Sequence, residues 1–350
     1  MSRRPRLRRR RAAVRKPRGR VRPIRGVLLA LLVFVTVTGG WVMWTYRGPG
    51  PAAKEGPATI VVLERGSGVS QIAGELARAG VIRSKTVFLA VARLTGAATR
   101  LKAGEYEFKS GAPMARVLSD IRDGKVVRHL ITVPEGWTSE MAAEAVARSP
   151  VLTGTAAPPA EGSILPDTYQ VQRGDDRQAV LKRMTDAQAK LLAELWAARQ
   201  PDLPFATPQQ AVTLASIVEK ETGIAAERPR IAAVFINRLR SGMRLESDPT
   251  VIYGVSKGRA LGRGITVGEL QTPTAWNTYV INGLPPTPIA NPGRASMLAV
   301  LNPPKTTELF FVADGSGGHV FASTFEEHQR NVAKWRAVER QRAAVAGAGR

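Results

Sequence analysis

The sequence predicts an α+β chain with three parts: a single N-terminal transmembrane helix, a small α+β module and a larger α+β domain. Three observations carry that prediction. Val27 to Trp44 runs 18 residues without a charge, close to the roughly 20 apolar residues that span a bilayer. Residues 59–133 alternate short β-branched runs with apolar residues at helical spacing. Beyond Pro134, long amphipathic runs are broken by stretches rich in polar, aromatic and proline residues.

The N-terminal segment follows from charge. The chain of 350 residues carries a formal +23, and residues 1–25 hold 13 of the 51 Lys/Arg and none of the 28 Asp/Glu. This arm therefore accounts for +13, and +10 remains for the rest. Trp41, Trp44 and Tyr46 close the apolar run as interfacial aromatics do, and the Arg block precedes it. Residues 26–46 read as an uncleaved transmembrane helix of the plasma (inner) membrane, with the arm cytoplasmic and residues 47–350 outside. A cleaved signal peptide is the competing reading. Against it stand the long charged region, the long apolar run and the lack of an A-x-A site. Nucleic-acid binding by the arm is another alternative. Next to a membrane span, topology and attraction to anionic lipid explain it better, so no nucleic-acid partner is expected. The absence of cysteine excludes disulfides and thiol catalysis, and three His without Cys make no structural zinc pattern. No metal or cofactor is called for.

Residues 47–58, rich in Pro, Gly and Ala, form a linker. Residues 59–64 form a strand, and Val69, Ile72, Ala73, Leu76 and Ala77 recur at helical spacing. A second helix follows Ser84, through Val87, Phe88, Val91, Ala92 and Leu94. Gly104–Phe108 is a strand, Pro113–Ile121 a helix and Val127–Val133 a strand. The order of elements over 59–133 resembles a LysM-like carbohydrate-binding module. A packing or spacer domain is the alternative.

The larger domain covers 134–340, with a tail at 341–350. A loop at 149–162 delivers Glu161 to Tyr169. The helix over Arg177–Arg199 carries a core stripe of Val180, Leu181, Met184, Ala187, Leu191, Leu192 and Leu195. The next helix starts with Thr207 as cap and Pro208 in its first turn, and Gly223 fits the position after its last turn. Ile231–Arg240 is helical, and residues 241–293 show little regular periodicity, as long functional loops do. Strands at Leu309–Ala313 and Val320–Ser323 form a hairpin around D-G-S-G-G-H, and a basic helix starts at Thr324.

Leu214–Gly223, L-A-S-I-V-E-K-E-T-G, places Glu219 and Glu221 on an otherwise apolar helix. A carboxylic acid held against apolar side chains has a raised pKa and suits general acid catalysis. On a helical wheel, Ala211, Leu214, Ala215, Ile217 and Val218 make the apolar face. Glu219 falls at its edge beside Val212 and Ser216, and Glu221 nearer its middle, so spacing leaves both open and leans to Glu221. The chain has no phosphate loop, no G-x-S-x-G elbow and no H-E-x-x-H. His319 and His328 read as surface or structural residues. Ser247, Asp248, Thr250, Tyr253, Trp276, Asn277, Thr278, Tyr279 and Asn291 are dense enough after an acidic helix to suggest a glycan cleft.

Several long blocks occur in order: L-A-S-I-V-E-K-E-T-G, V-F-I-N-R-L (Val234–Leu239) and G-M-R-L-E-S-D-P-T-V-I-Y-G (Gly242–Gly254). T-P-x-x-x-N-T-Y (Thr272–Tyr279), G-L-P-P-T-P-I-A-N-P-G (Gly283–Gly293), F-V-A-D-G-S-G-G-H-V-F (Phe311–Phe321) and T-F-x-E-H (Thr324–His328) continue them. With E-G-S-I-L-P-D-T-Y from Glu161, the set resembles the endolytic murein transglycosylases of the MltG/YceG-like type. Ser163 and Ile164 stand where that family often has bulkier apolar or aromatic residues.

The resemblance implies an anchored enzyme with a LysM-like module and a catalytic transglycosylase domain, cleaving inside peptidoglycan glycan strands to 1,6-anhydro-MurNAc ends. It implies that the first Glu of V-E-K-E-T, Glu219, is the catalytic acid. Glu221 is then a supporting carboxylate held by a partner such as an Arg, with Ser216 and Asp248 as further supporting candidates. Asn277, Tyr279 and Thr250 are expected to orient the sugar, with Tyr253, Glu161 and Asn291 as further ligands. Asp248, ahead of a proline, is expected in a turn. Expected partners are peptidoglycan strands, the membrane and peptidoglycan synthases. Two competing functions are a lysozyme-like muramidase using Asp248 to activate water, and a non-catalytic peptidoglycan-binding scaffold.

Overall fold

The computed structural model describes residues 22–348, so most of the basic arm at 1–25 and the last two residues of the 341–350 tail lie outside the described residues. Helix α1 spans Arg22–Arg47, and its Arg25–Arg47 portion is long and apolar enough to cross a membrane, as an anchor or a signal sequence is. Its Val27, Leu32, Phe34 and Val37 are exposed.

Two compact units divide between Val127 and Arg128. In the first, β1 (Ala58–Leu63) precedes α2 (Val69–Arg78) and α3 (Lys85–Leu94), then β2 (Gly104–Lys109) and α4 (Met114–Asp123). β1 and β2 pair antiparallel, with Ala58 opposite Lys109 and Leu63 opposite Gly104. Strand alternation turns Val61, Leu63, Tyr106 and Phe108 onto Ile72, Leu76, Phe88, Val117 and Ile121. Ser84 caps α3 by accepting from the Val87 amide, as the sequence suggests.

The strand expected at 127–133 does not join this sheet. As β3 (His129–Thr132) it pairs antiparallel with β4 (Thr168–Val171) in the second unit. Alternation marks a strand but does not name its partner. Here Ile131 and Val133 bury against Val171, Val180 and Leu181, and that core settles the pairing. Ile164, one of the departures from the family pattern, is fully buried in the same core.

Between β3 and β4 lies α5 (Ser139–Ala147), capped by Thr138, which the sequence pattern missed. After β4 come α6 (Arg177–Ala197), α7 (Pro208–Glu221) and α8 (Arg228–Arg240). Residues 241–293 contain two short helices, α9 (Asp248–Ser256) and α10 (Val267–Gln271), and α11 (Arg294–Leu301) follows. Asp248 thus opens a helix, with Pro249 in its first turn, where the expectation was a turn. A hairpin of β5 (Phe310–Ala313) and β6 (His319–Ala322) and the long α12 (Phe325–Ala348) end the chain.

α7 is the centre of this unit. All eight residues from Ala211 to Val218 are buried. A helix apolar on all sides belongs inside a domain, and here Leu214, Ile217 and Val218 pack with Phe235 of α8 and Val300 of α11. The wheel's single apolar face was therefore too narrow. At its start, Thr207 accepts from the Gln210 amide while the Gln210 side chain accepts from the Thr207 amide, a capping box. At its end the helix leaves through Thr222 in an extended conformation with φ −138°. Gly223 adopts no left-handed cap, because the Thr222 hydroxyl accepts from the Ile224 amide at 2.9 Å and turns the chain itself. Thr207→Ala removes the cap and should lower the stability of this unit by about 1 kcal/mol, read as a lower denaturant midpoint with an unchanged slope.

Candidate active site

Two residues along a helix turn the side chain by about 200°. Because α7 is enclosed on all sides, Glu219 and Glu221 enter two different environments.

Glu219 faces the N-terminus of α11. Its Oε2 accepts from the Gly293 amide at 2.9 Å and its Oε1 from Arg228 Nη2 at 3.1 Å. The Glu219 side chain is 4% exposed. Arg228 also reaches Glu135 at 3.4 Å. Burial and the Glu219 charge push the Glu135 carboxyl up, against the pull of Arg228. A side chain at 293 would meet Glu135, since an added Cβ would lie 1.8 Å from its Oε1. The arrangement requires glycine there. Both oxygens of Glu219 are thus occupied by donors of the protein.

Glu221 faces a polar pocket of about 350 Å³ lined with Arg238, Glu246, Asp248, Tyr279, Phe311 and His328. One oxygen accepts from the Ser247 hydroxyl at 2.9 Å. Burial pushes its pKa up to about 7, with the Asp248 charge adding to the rise, and the Ser247 bond and the Arg238 charge oppose it. Asp248 accepts from the Tyr279 hydroxyl at 2.7 Å. Burial, that bond and the surrounding carboxylates push the Tyr279 phenol up. Arg238 is fixed by the carbonyls of Leu309 at 2.7 Å and Leu245 at 3.0 Å, and it holds Glu246 at 3.1 Å. Glu246 itself has φ +51°, a conformation that costs a non-glycine residue energy and recurs at functional sites.

The remaining residues singled out by sequence serve to build these walls. Asn277 is buried, with its Nδ2 donating to the carbonyls of Leu270 and Thr272 and its Oδ1 accepting from the Tyr279 amide. Thr250 is buried and donates to the Ser247 carbonyl at 2.6 Å, and its hydroxyl lies 2.8 Å from that of Thr278. These two hold the loop that presents Tyr279. Asn291 is buried and ties Ile164 to Trp137 through its amide. Ser216 is buried under the Ile289 amide, from which it accepts at 3.0 Å. Tyr253 donates to Glu161 at 3.2 Å, and Glu161 also accepts from the Ser139 amide at 2.8 Å. Burial raises the Glu161 carboxyl, and these donors offset the rise. A larger cavity of about 430 Å³ lies elsewhere, around Gln200, Asn237, Pro303 and Lys305, and holds none of these residues.

Sequence patterns missed Glu135, Arg228, Arg238, Glu246 and His328 as parts of the two centres. Arg238 lies inside the V-F-I-N-R-L block, and a basic residue on a largely buried helix was the signal available. The expected arginine partner of a carboxylate exists, but Arg228 touches Glu219, while the direct partner of Glu221 is Ser247. His319 Nδ1 lies 2.8 Å from Glu227.

Two carboxylates leave one buried helix, one locked by an arginine and one protonatable in an open polar pocket. That combination defines a mixed helix-and-strand domain with a carboxylate-centred site. The chain belongs to the YceG-like family, whose model matches residues 61–334. A Bacillus subtilis (strain 168) protein named endolytic murein transglycosylase is 29% identical over 320 residues, covering 81% of this chain and 87% of that protein. A protein of the same name from Streptococcus pneumoniae serotype 2 is 27% identical over 367 residues, covering 89% of this chain and 65% of the relative. The crystal structure of a yceG-like protein from Listeria monocytogenes is similar over 78% of this chain and 98% of its own, with 28% identity and a TM-score of 0.49.

A carboxyl raised by burial stabilises the fold when protonated. The Glu221 contribution is full below the ordinary carboxylate range, near 4.5, and is lost as pH rises through about 7. Wild type should therefore lose stability relative to Glu221→Gln between these values, by on the order of 3 kcal/mol. Chemical denaturation of both proteins from pH 4 to 8 measures the difference.

Proposed function

We propose that this chain is a membrane-anchored endolytic lytic transglycosylase that cuts the MurNAc–GlcNAc bond within peptidoglycan glycan strands. The observation that carries the proposal is Glu221: a carboxyl raised to about 7 by burial, facing a 350 Å³ pocket that also holds Tyr279 and Asp248. Membership of the YceG-like family and the names of the relatives supply the substrate class.

In this mechanism protonated Glu221 donates its proton to the glycosidic oxygen as the bond to C1 of MurNAc breaks. The GlcNAc side leaves as an alcohol. The acetamido carbonyl of MurNAc and the fixed dipoles of the pocket stabilise the oxocarbenium-like state. The C6 hydroxyl then attacks C1, and its proton passes to the Glu221 carboxylate, which restores the acid and closes the 1,6-anhydro ring. Water does not enter, so the second carboxylate that ordinary glycosidases need is not required. In this scheme Glu219, the position chosen by family resemblance, ties α7 to Arg228 and α11, because both of its oxygens are already engaged.

Residues 26–46 hold the domain outside the plasma membrane with the N-terminus in the cytoplasm. An anchored site reaches nascent strands beside a synthase and terminates their elongation. The small module, LysM-like in its order of elements, binds glycan.

A second reading, a muramidase, draws on Asp248, whose carboxylate lines the same pocket and is placed to activate water. Mass spectrometry of products from uncross-linked glycan separates the readings, using wild type beside Glu221→Gln and Glu219→Gln. Anhydro-MurNAc ends are expected from wild type and from Glu219→Gln at a reduced rate, with a loss of at least ~100-fold in Glu221→Gln. Loss confined to Glu219→Gln moves the acid to that residue, reducing ends identify a muramidase, and glycan binding without any product identifies a scaffold.

A further inference from the structure

Glu221 is the last residue of α7, and helix ends fray unless something ties them. Thr222 leaves α7 in an extended conformation, so side chains must do the tying. The Thr222 hydroxyl accepts from the Ile224 amide at 2.9 Å and donates to Glu227 Oε2 at 3.3 Å. Glu227 stands at the N-terminus of α8, one residue before Arg228. Its carboxylate is gripped from the β5–β6 hairpin: Oε1 accepts from the His319 amide at 2.8 Å, and Oε2 lies 2.8 Å from His319 Nδ1. Burial pushes the Glu227 carboxyl up, but the His319 ring and amide and the Thr222 hydroxyl outweigh it and hold the carboxyl below its usual range. An ionised carboxylate only accepts, so Nδ1 carries the ring proton and donates.

The hairpin does not require this contact for itself. β5 and β6 pair along Phe310–Ala313, Asp314 accepts from the Ser316 and Gly318 amides at the tip, and Phe321 is buried in the core. The approach is nevertheless close, since an added Cβ at Gly318 would lie 2.8 Å from Glu227 Oε1. His319 also meets Phe311 in a T-shaped contact, with centroids 5.4 Å apart and planes at 89°. Phe311 lines the Glu221 pocket. One residue thus reaches both the end of α7 and the wall of the pocket.

We propose that His319 is a positioning residue for Glu221: it clamps Glu227, Glu227 holds Thr222, and Thr222 fixes the last turn of α7 against the pocket. This rests on the lyase reading above, in which Glu221 is the acid, and adds a residue that acts through others. Without the clamp the end of α7 frays and the wall at Phe311 loosens. Water then reaches Glu221 and removes part of the rise that burial gives its carboxyl.

The test measures anhydro-end formation from uncross-linked glycan by the full chain in detergent micelles, as kcat, KM and the pH dependence of kcat/KM. His319→Phe keeps a ring beside Phe311 and the amide bond to Glu227 but has no donor at Nδ1. It should lower kcat by roughly 10–100-fold with KM little changed. It should also move the alkaline limb from about 7 toward the ordinary carboxylate value near 4.5. His319→Asn places an amide donor near the position of Nδ1 and should restore most of both. Glu227→Gln should resemble His319→Phe, and the two combined should cost little more than either alone. The other titratable and charged groups facing Glu221, namely Arg238, Glu246, Asp248, Tyr279 and His328, stay unchanged in these variants. Wild-type kcat in His319→Phe overturns the inference, as does a loss of kcat with the limb left in place. Failure of the lyase reading is seen separately, as a wild type without anhydro ends or a fully active Glu221→Gln. Chemical denaturation from pH 4 to 8, with and without Glu221→Gln in each background, then reads the same carboxyl without turnover. A Glu221 pKa lowered in His319→Phe and restored in His319→Asn supports the clamp, and an unchanged one overturns it.

Discussion

The complete burial of α7 organises the larger unit. Eight consecutive residues from Ala211 to Val218 are enclosed, so the helix cannot rotate to relieve a clash at its last turn without breaking packing on every side. Both carboxylates of that turn inherit this rigidity. Arg228 and the Gly293 amide secure one side by gripping Glu219. On the other side, Glu221 is left with a single hydroxyl donor and an open pocket. A general acid works best when its position is held and its protonation is free, and in the proposed mechanism the two glutamates divide those duties.

The long segment between α8 and α11 is a second level of support. Its polar residues look in sequence like a set of sugar ligands, yet the fully buried ones work on one another. Thr250, Thr278 and Ser247 form one hydrogen-bonded cluster, and Asn277 caps the carbonyls of the turn that carries Tyr279. Buried amides of this kind are costly unless satisfied, and once satisfied they hold a loop as firmly as a helix would. The exposed end of the same segment then presents Tyr279, Asp248 and Glu246 to the pocket, with Glu246 kept in a strained backbone conformation by Arg238 and the Thr278 carbonyl.

Much of the fold was legible in the sequence because its signals are local. The cap at Thr207, the core stripe of α6, the hairpin around D-G-S-G-G-H and the two strands of the small unit each depend on residues a few positions apart. The short helices α5, α9, α10 and α11 were not legible. α11 is buried over most of its length, which removes the polar face that reveals a helix, and α9 and α10 span fewer than three turns. β3 was legible as a strand but not as a partner of β4, since pairing is set by the core it covers.

The same division holds for the site. By itself the sequence determined that two glutamates sit on one apolar helix, that an 18-residue uncharged segment precedes the folded part, and that the motifs are collinear with those of one family. Only the tertiary structure decided what each glutamate meets. Arg228 follows Glu219 by nine residues, while Ser247 and Tyr279 lie far downstream of Glu221, and none of them has a fixed periodic relation to α7. A carboxyl's protonation depends on donors, charges and burial within a few ångströms, and those distances are set by how α8, α9, α11 and α12 pack around α7.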